Sequence, residues 1–255
     1  MTPKLIAAAL LGLSLATSGI HAQTNPAPAA PTESAVNPAA IQALKDMGTF
    51  LQSLKRFRVS TELTGEVVLA DGQKLQHTAH ADLDVQRPNK MRARMFTARN
   101  ERIVVFDGQR ATLYLPAQKY YSTVDFSGNV GELVNKLEER YRVEIPLSDL
   151  FLWGTPAAPL DKIESAMNAG QDFIGNELCD HFAFRQGSFD WQIWIATGGK
   201  PLPRKLVITN RADDARPQSV SLIQWNLNPT FKDDVFRFVP PQGAKAAELR
   251  ALEAK

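Results

Sequence analysis

The chain has 255 residues, with 29 Lys and Arg against 27 Asp and Glu, a formal net charge of +2 at pH 7. That near-balance argues against a nucleic-acid or strongly acidic partner. The only cysteine, Cys179, excludes an internal disulfide, so stability has to come from a packed core, for which a hydrophobic share of 44 % suffices.

Lys4, the apolar run Leu5 to Ala16 and the small residues up to Ala22 follow the charged, hydrophobic, cleavable order of a secretory signal peptide. Cleavage is expected near Ala22, at an Ile20-His21-Ala22 site whose Ile is larger than usual for that position. The run is too short to span a bilayer, and no cysteine stands near the cut to carry a lipid. Removal takes one Lys and no acid, leaving a charge of about +1.

Gln23 to Pro38 is Pro, Ala, Thr and Ser with almost no apolar bulk, a composition that cannot offset the entropy of ordering and reads as a disordered spacer. The folded unit is expected from Ala39 to Gly243. At roughly 200 residues it is the size of one large β-sheet domain.

Ile41, Leu44, Met47, Leu51 and Leu54 recur at steps of three and four, which predicts a helix over Ala39 to Leu54. From Phe57 the period changes to two: Phe57, Val59, Thr61, Leu63 and Val67 alternate with Arg58, Ser60, Glu62 and Glu66. After the hairpin signal Asp71-Gly72, Ala79, Ala81, Leu83 and Val85 alternate with His80, Asp82, Asp84 and Gln86. These are antiparallel strands with one wet face. Further strands are predicted at Lys90 to Thr97, Arg102 to Phe106, Ala111 to Leu115 and Tyr120 to Phe126.

Helices are predicted next: Gly131 to Tyr141, then Pro146 to Trp153 with Pro suited to a first helical turn, then a short one around Pro159 to Met167. Strands resume at Asp172 to Ile174, Leu178 to Arg185, Phe189 to Ala196, Arg204 to Asn210, Ser219 to Asn228 and Phe236 to Val239. Ala244 to Lys255 has high helix propensity but is marginal as a helix without packing. The order describes an α+β fold, one curved antiparallel sheet with helices against one face.

Several short motifs stand in a telling sequence: Arg87-Pro88-Asn89-Lys90-Met91-Arg92, the Asp107-Gly108-Gln109 turn entering Leu113-Tyr114, the Tyr120-Tyr121 strand, and the run from Phe236-Arg237-Phe238-Val239 through Pro240-Pro241 to Gly243-Ala244. In this order they resemble the LolA/LolB-like superfamily of periplasmic lipid and lipoprotein carriers. Within it, Ile145-Pro146-Leu147-Ser148-Asp149-Leu150 looks most like a family of predicted periplasmic proteins with no assigned activity. The resemblance covers about residues 40–245. It implies a half-open antiparallel barrel of about eleven strands closed by helices, with an apolar cavity under a helical lid. It also implies a periplasmic address, a role linked to outer-membrane biogenesis, and a cargo of lipid or acylated protein passed between envelope donor and acceptor proteins, with transient membrane contact. A monomer is expected.

Strand parity supplies the candidate ligand-binding face: Phe57, Val59, Leu63, Leu83, Leu113, Leu115, Phe182, Phe184, Trp191, Ile193 and Trp225, with Ala81, Ile195, Leu206, Ile208 and Leu227 on the same faces. Lid candidates are Leu133, Leu137, Leu150, Phe151 and Trp153. Taken singly, each is explained as ordinary core, since large apolar residues on an inward face need no ligand; the cavity reading rests on the set as a whole. Arg92 and Arg94 share a strand face and are candidates for head-group or rim contacts, with a solvated outer face as the alternative.

Catalytic patterns are weak. His77 and His80, three apart on a strand, point to opposite faces and cannot share a metal without a bulge. Cys179 and His181 share a face, yet no third group accompanies them. No G-x-S-x-G elbow, phosphate-binding glycine loop or H-E-x-x-H occurs. The sequence implies no enzyme, no cofactor and no metal. Two readings stand: a lipid-binding carrier, and an envelope interaction module with no lipid cargo.

Overall fold

Asn37 starts the first helix: its side chain accepts a hydrogen bond from the Ala39 amide at 2.8 Å, and Pro38 fills the first helical position, where its missing N–H costs nothing. The helix α1 (Pro38–Ser53) buries Ala40, Leu44, Met47 and Leu51 along one stripe. The computed structural model describes residues 35–232 and 234–251. The signal peptide and most of the spacer expected from the sequence lie outside the described residues.

Six strands follow as a meander: β1 (Arg56–Val68), β2 (Lys74–Gln86), β3 (Lys90–Phe96), β4 (Glu101–Phe106), β5 (Arg110–Leu115) and β6 (Tyr120–Asp125). Next come the helix α2 (Val130–Tyr141) and two 3-10 turns at Ser148–Phe151 and Leu160–Lys162. A second meander is formed by β7 (Ser165–Ile174), β8 (Glu177–Gln186), β9 (Phe189–Ala196), β10 (Pro203–Asn210) and β11 (Gln218–Asn226), and the last element among the described residues is a two-residue strand, β12 (Lys245–Ala246).

Antiparallel pairing of β1 with β11, in which Val59 faces Trp225 and Leu63 faces Ser221, joins the meanders. The resulting twelve-stranded sheet has the order β12-β6-β5-β4-β3-β2-β1-β11-β10-β9-β8-β7. It does not close, so β7 remains an edge strand, met on its outer side by a short parallel bridge from Val36 to Ala166. The fold class read from the sequence, an open antiparallel sheet with helices on one face, is the one present.

Period-two alternation puts one apolar set on the inner face: Phe57 and Val59 of β1, Leu83 and Val85 of β2, Met91 and Ala93 of β3, Val104 and Phe106 of β4. α1 and α2 lie on this face, and their buried residues form one cluster with these strands. α2 is held at its start by a reciprocal cap, in which the Asn129 side chain accepts from the Glu132 amide at 3.0 Å while the Glu132 carboxylate accepts from the Asn129 amide at 2.9 Å.

Four expectations are corrected. The Pro146 to Trp153 helix is a single 3-10 turn over Ser148–Phe151, because Leu147 has φ +57, a left-handed conformation from which a right-handed helix cannot propagate. The helix around Pro159 to Met167 is reduced to Leu160–Lys162, and the strand expected only from Asp172 begins at Ser165. Pairing with β8 captures that segment, starting with the Glu164 amide on the Arg185 carbonyl at 2.9 Å. Tertiary pairing overrides a weak local pattern.

Phe236 to Val239 joins no ladder. It belongs to a strap that crosses the outer sheet face, with Arg58 over the Phe231 ring, Phe231 edge-on to Phe236, and Phe238 against Tyr114 and Tyr121 at 5.5 and 5.3 Å between ring centroids. The described part of the C-terminal tail is not helical. Lys245 and Ala246 pair in parallel with Tyr120 and Tyr121, covering the free backbone edge of β6.

Candidate functional site

Between the lid segment 147–164 and the inner face of β9, β10 and β11 lies a cavity of about 890 Å³. Its floor is Trp191 and Ile193 of β9, Pro203, Leu206 and Ile208 of β10, and Ile223 of β11. The register explains the grouping: Trp191 is opposite Ile208, and Ile193 opposite Leu206, so parity turns all four to one face. Met47 of α1 closes one wall, and Leu147, Leu150, Leu152, Trp153 and Ile163 form the roof.

The roof is positioned by α1. The Gln52 side-chain amide donates to the Trp153 carbonyl at 2.7 Å, and Gly48 and Gly154 meet backbone to backbone. Trp153 then lies over Trp191, with ring centroids 5.8 Å apart, and Trp191 stacks on Phe184 at 4.1 Å. This aromatic column joins lid to floor.

Polar groups are sparse and concentrate at the mouth: Asp161, Lys162, Glu164, Gln186 and Ser188. Glu164 is engaged, its carboxylate accepting from the Gly187 amide at 2.9 Å. Asp149 is also in the lining, an exposed residue beside Leu147, Leu150, Leu152 and Trp153, and desolvation by the protein around it moves its carboxyl above the usual carboxylate range.

Of the residues proposed from sequence, Leu150, Trp153, Trp191 and Ile193 line this cavity, as do Leu206 and Ile208. Phe57, Val59, Leu83, Leu133, Leu137, Phe151, Phe182 and Phe184 are buried in the main core, away from the lining. Leu63, Leu113 and Trp225 are half-buried and pack against that core, and Leu115 is half-buried opposite Tyr120. Arg92 and Arg94 alternate with buried Met91 and Ala93 and so occupy the outer face. Arg94 is bonded to Glu101 at 2.6 Å and covers the Phe96 ring, and neither arginine lines the cavity.

Sequence reasoning missed Met47, Leu147, Asp149, Leu152, Ile163 and Ile223. Two had a readable signal: Ile223 is two residues from Trp225 on the same strand face, and Asp149 is the only charged residue between Ile145 and Trp153.

The other groups weighed for chemistry are engaged structurally. Cys179 is fully buried beside Trp194, Ala196 and Val207, and burial pushes its thiol up, away from the reactive thiolate. His181 stacks on Trp194 at 4.0 Å and bonds Gln192 at 3.0 Å. His80 stacks on Phe96 on the outer face.

Residues 40–250 match the family model described as "Predicted periplasmic protein (DUF2092)". Curated proteins give no match. Among solved structures, the chain is similar to lipoprotein LppX of Mycobacterium tuberculosis, at 15 % identity over 77 % of this chain and 100 % of that one, with a TM-score of 0.48. An uncharacterized conserved protein from Thermus thermophilus matches at 9 % identity over 82 % and 99 %, TM-score 0.47. A LolA superfamily protein from Nitrosomonas europaea matches at 10 % identity over 78 % and 97 %, TM-score 0.36.

Proposed function

We propose that this chain, which belongs to the DUF2092 family of predicted periplasmic proteins, is a non-enzymatic binding or carrier protein for the apolar chains of a lipid or an acylated protein. One observation carries the reading: a cavity of about 890 Å³ whose floor and roof are almost entirely apolar. Its size falls at the upper end of the range of about 300–1,000 Å³ that holds small ligands. Each methylene buried contributes roughly 0.8 kcal/mol, so a chain of about sixteen carbons gains on the order of 12 kcal/mol before association costs. No catalytic group is needed for such a role. Release requires the roof to move, or a partner with a stronger site.

The reading includes export to the periplasm, cleavage near Ala22, the spacer Gln23 to Pro38 ahead of the domain, and transfer as a monomer between envelope partners. The test is mass spectrometry of lipids extracted from mature protein purified without detergent, beside an unrelated periplasmic control. Stoichiometric enrichment of one lipid or acylated species supports the carrier. A folded, lipid-free protein that takes up no fluorescent amphiphile of any head-group charge sinks it.

A second reading, an envelope interaction module, is favoured by the β7 edge. Past the Val36 bridge at Ala166, that strand has no ladder partner on its outer side among the described residues, and it leaves Met167 54 % and Phe173 70 % exposed. Such an edge is where a partner strand adds. The same lipid-free result would favour it.

A further inference from the structure

A second cavity, of about 870 Å³, lies on the outer sheet face under the strap and shares no residue with the cavity below the lid. Its floor is one row of the sheet: Val105 of β4 is opposite Thr112 of β5, which is opposite Thr123 of β6, with Tyr121 two residues along the same face. Residues 236–240 of the strap form one wall. The turns at Asn89–Lys90 and Asp107–Arg110 form the other, and they close on each other where a Cβ on Gly108 would stand 2.8 Å from the Asn89 side-chain nitrogen.

This cavity is polar and holds three cations, Lys90, Arg110 and Arg237, against one acid, Asp107. The acid is already engaged. One of its oxygens accepts from the Gln109 and Arg110 amides at 2.9 and 2.8 Å, and Arg110 Nε stands 3.9 Å from the other. The side chains of Lys90 and Arg237 have no hydrogen-bond or ion-pair partner among the described residues. Elsewhere on the outer face the cations are matched: Arg94 holds Glu101 at 2.6 Å, and Arg58 holds both oxygens of Asp84 at 2.5 and 3.0 Å. That pairing leaves Arg92, between Asp84 and Val105 in the register, a further unmatched cation beside the cleft.

Unmatched cations around one cleft repel each other and raise the local concentration of anions. Lys and Arg together suit phosphate, one as a point charge and the other as a planar fork. The volume is far more than a bare ion fills and lies in the range of small-ligand sites. The groups left over, the Thr112 and Thr123 hydroxyls paired at 3.0 Å, the Tyr121 hydroxyl and the Asn89 and Gln109 amides, suit the hydroxyls of a polyol.

We propose that the cleft under the strap binds a phosphate ester of a sugar or polyol, with Lys90 and Arg237 gripping the phosphate and the Thr and Tyr hydroxyls meeting the body. The carrier reading is not required for this, since the two cavities are separate. A soluble sugar phosphate and the glycerophosphate head of a lipid share this chemistry.

Amide NMR titration of the purified mature protein at low salt, with glucose 6-phosphate and with glucose, tests it. Glucose 6-phosphate is expected to bind with Kd of about 1 mM or tighter, moving amides of residues 107–110 and 236–240, while glucose binds at least about ten-fold more weakly. Lys90→Gln with Arg237→Gln is expected to weaken the phosphate ester about ten-fold or more. Lys45→Gln with Lys200→Gln, which removes the same charge from α1 and the β9–β10 turn, is expected to leave it unchanged. None of these four side chains is in the core, so all variants should keep the wild-type urea midpoint. Sedimentation with phosphatidylcholine vesicles, with and without phosphatidylglycerol, separates the sources. Retention that needs phosphatidylglycerol and is lost only in the cleft variant assigns a lipid head group; glucose 6-phosphate binding without retention assigns a soluble ester. Absence of both, shifts centred outside the cleft, or equal affinity in the two double variants overturns the inference.

Discussion

Gly48, in the third turn of α1, and Gly154, after the lid's 3-10 turn, are in direct backbone contact: a Cβ on Gly48 would stand 2.8 Å from the Gly154 Cα and closer still to its amide nitrogen. Gly154 has φ +79, which side-chain-bearing residues rarely adopt, and a Cβ there would meet the Gly48 carbonyl. The contact lets Gln52 reach the Trp153 carbonyl and sets the height of the roof above Trp191. Gly48→Ala is therefore expected to lower stability by about 1–3 kcal/mol, the usual cost of forcing atoms into a closed contact. Urea unfolding gives the stability, and the dissociation rate of a bound amphiphile gives the roof. A Gly48→Ala variant with unchanged midpoint and off-rate would show that the lid does not depend on this contact.

Trp153 is half-buried and touches both the cavity and Trp191. Trp153→Ala removes the top of the aromatic column while leaving the main core in place, so the cost in stability should stay near about 1–2 kcal/mol. The expected phenotype is a folded protein that loses amphiphile faster. Off-rates equal to wild type in the folded variant would remove Trp153 from the lid role.

Sequence pattern identified most of the strands and the faces they present, because a half-wet antiparallel sheet alternates with period two whatever lies above it. That alternation correctly turned Trp191, Ile193, Leu206 and Ile208 inward. It could not show which inward residues meet a cavity. Phe57, Val59 and Leu83 have the same parity, but side chains of α1 and α2 occupy the space over them. The lid was illegible for a different reason. Its path depends on Leu147 and Gly154 holding positive φ against α1, a tertiary fit with no local periodicity. Phe236-Arg237-Phe238-Val239 alternates like a strand, yet a strap lying across a sheet needs the same alternation.

That strap makes its own prediction. Phe236 is buried, 5 % exposed, and meets Phe231 edge-on, while Val105 and Thr112 beneath this part of the outer face are also buried. Phe236→Ala is expected to destabilise the protein by about 3 kcal/mol, in the range for deleting a buried phenylalanine side chain. Amide exchange should then accelerate in the strap and in β12 together. A loss below about 1 kcal/mol would mean that the strap is loosely applied and that the sheet tolerates its release.

Arg87 presents the opposite case. Its Nε and Nη2 are buried with no hydrogen-bond partner among the described residues, burial lowers its proton affinity, and its guanidinium lies 5.8 Å from the centre of the Phe151 ring. The ring contact is worth about 0.5–1 kcal/mol, whereas each unmet buried donor costs about 1–3. Arg87→Met keeps most of the packing stem and removes the donors, so stability should rise by about 1 kcal/mol. A loss measured by urea unfolding would mean that the guanidinium has a partner, such as a bound water, that meets its donors.

Asp149 links stability to pH in a direction set by its raised proton affinity. Unfolded, the carboxyl titrates near its ordinary 3.8; folded, it holds its proton to higher pH. Below about 3.8 both states are protonated and the group costs nothing. As pH rises through the folded range, the unfolded state ionises more readily, and stability is lost. Asp161, Lys162 and Glu164 share the cavity lining and are present in both proteins compared. Asp149→Asn should accordingly be the more stable protein at pH 7, with its advantage shrinking as both are acidified toward pH 4. Urea midpoints of the pair at the two pH values measure this. A constant difference would mean that the carboxyl, exposed as it is, titrates as it does in water.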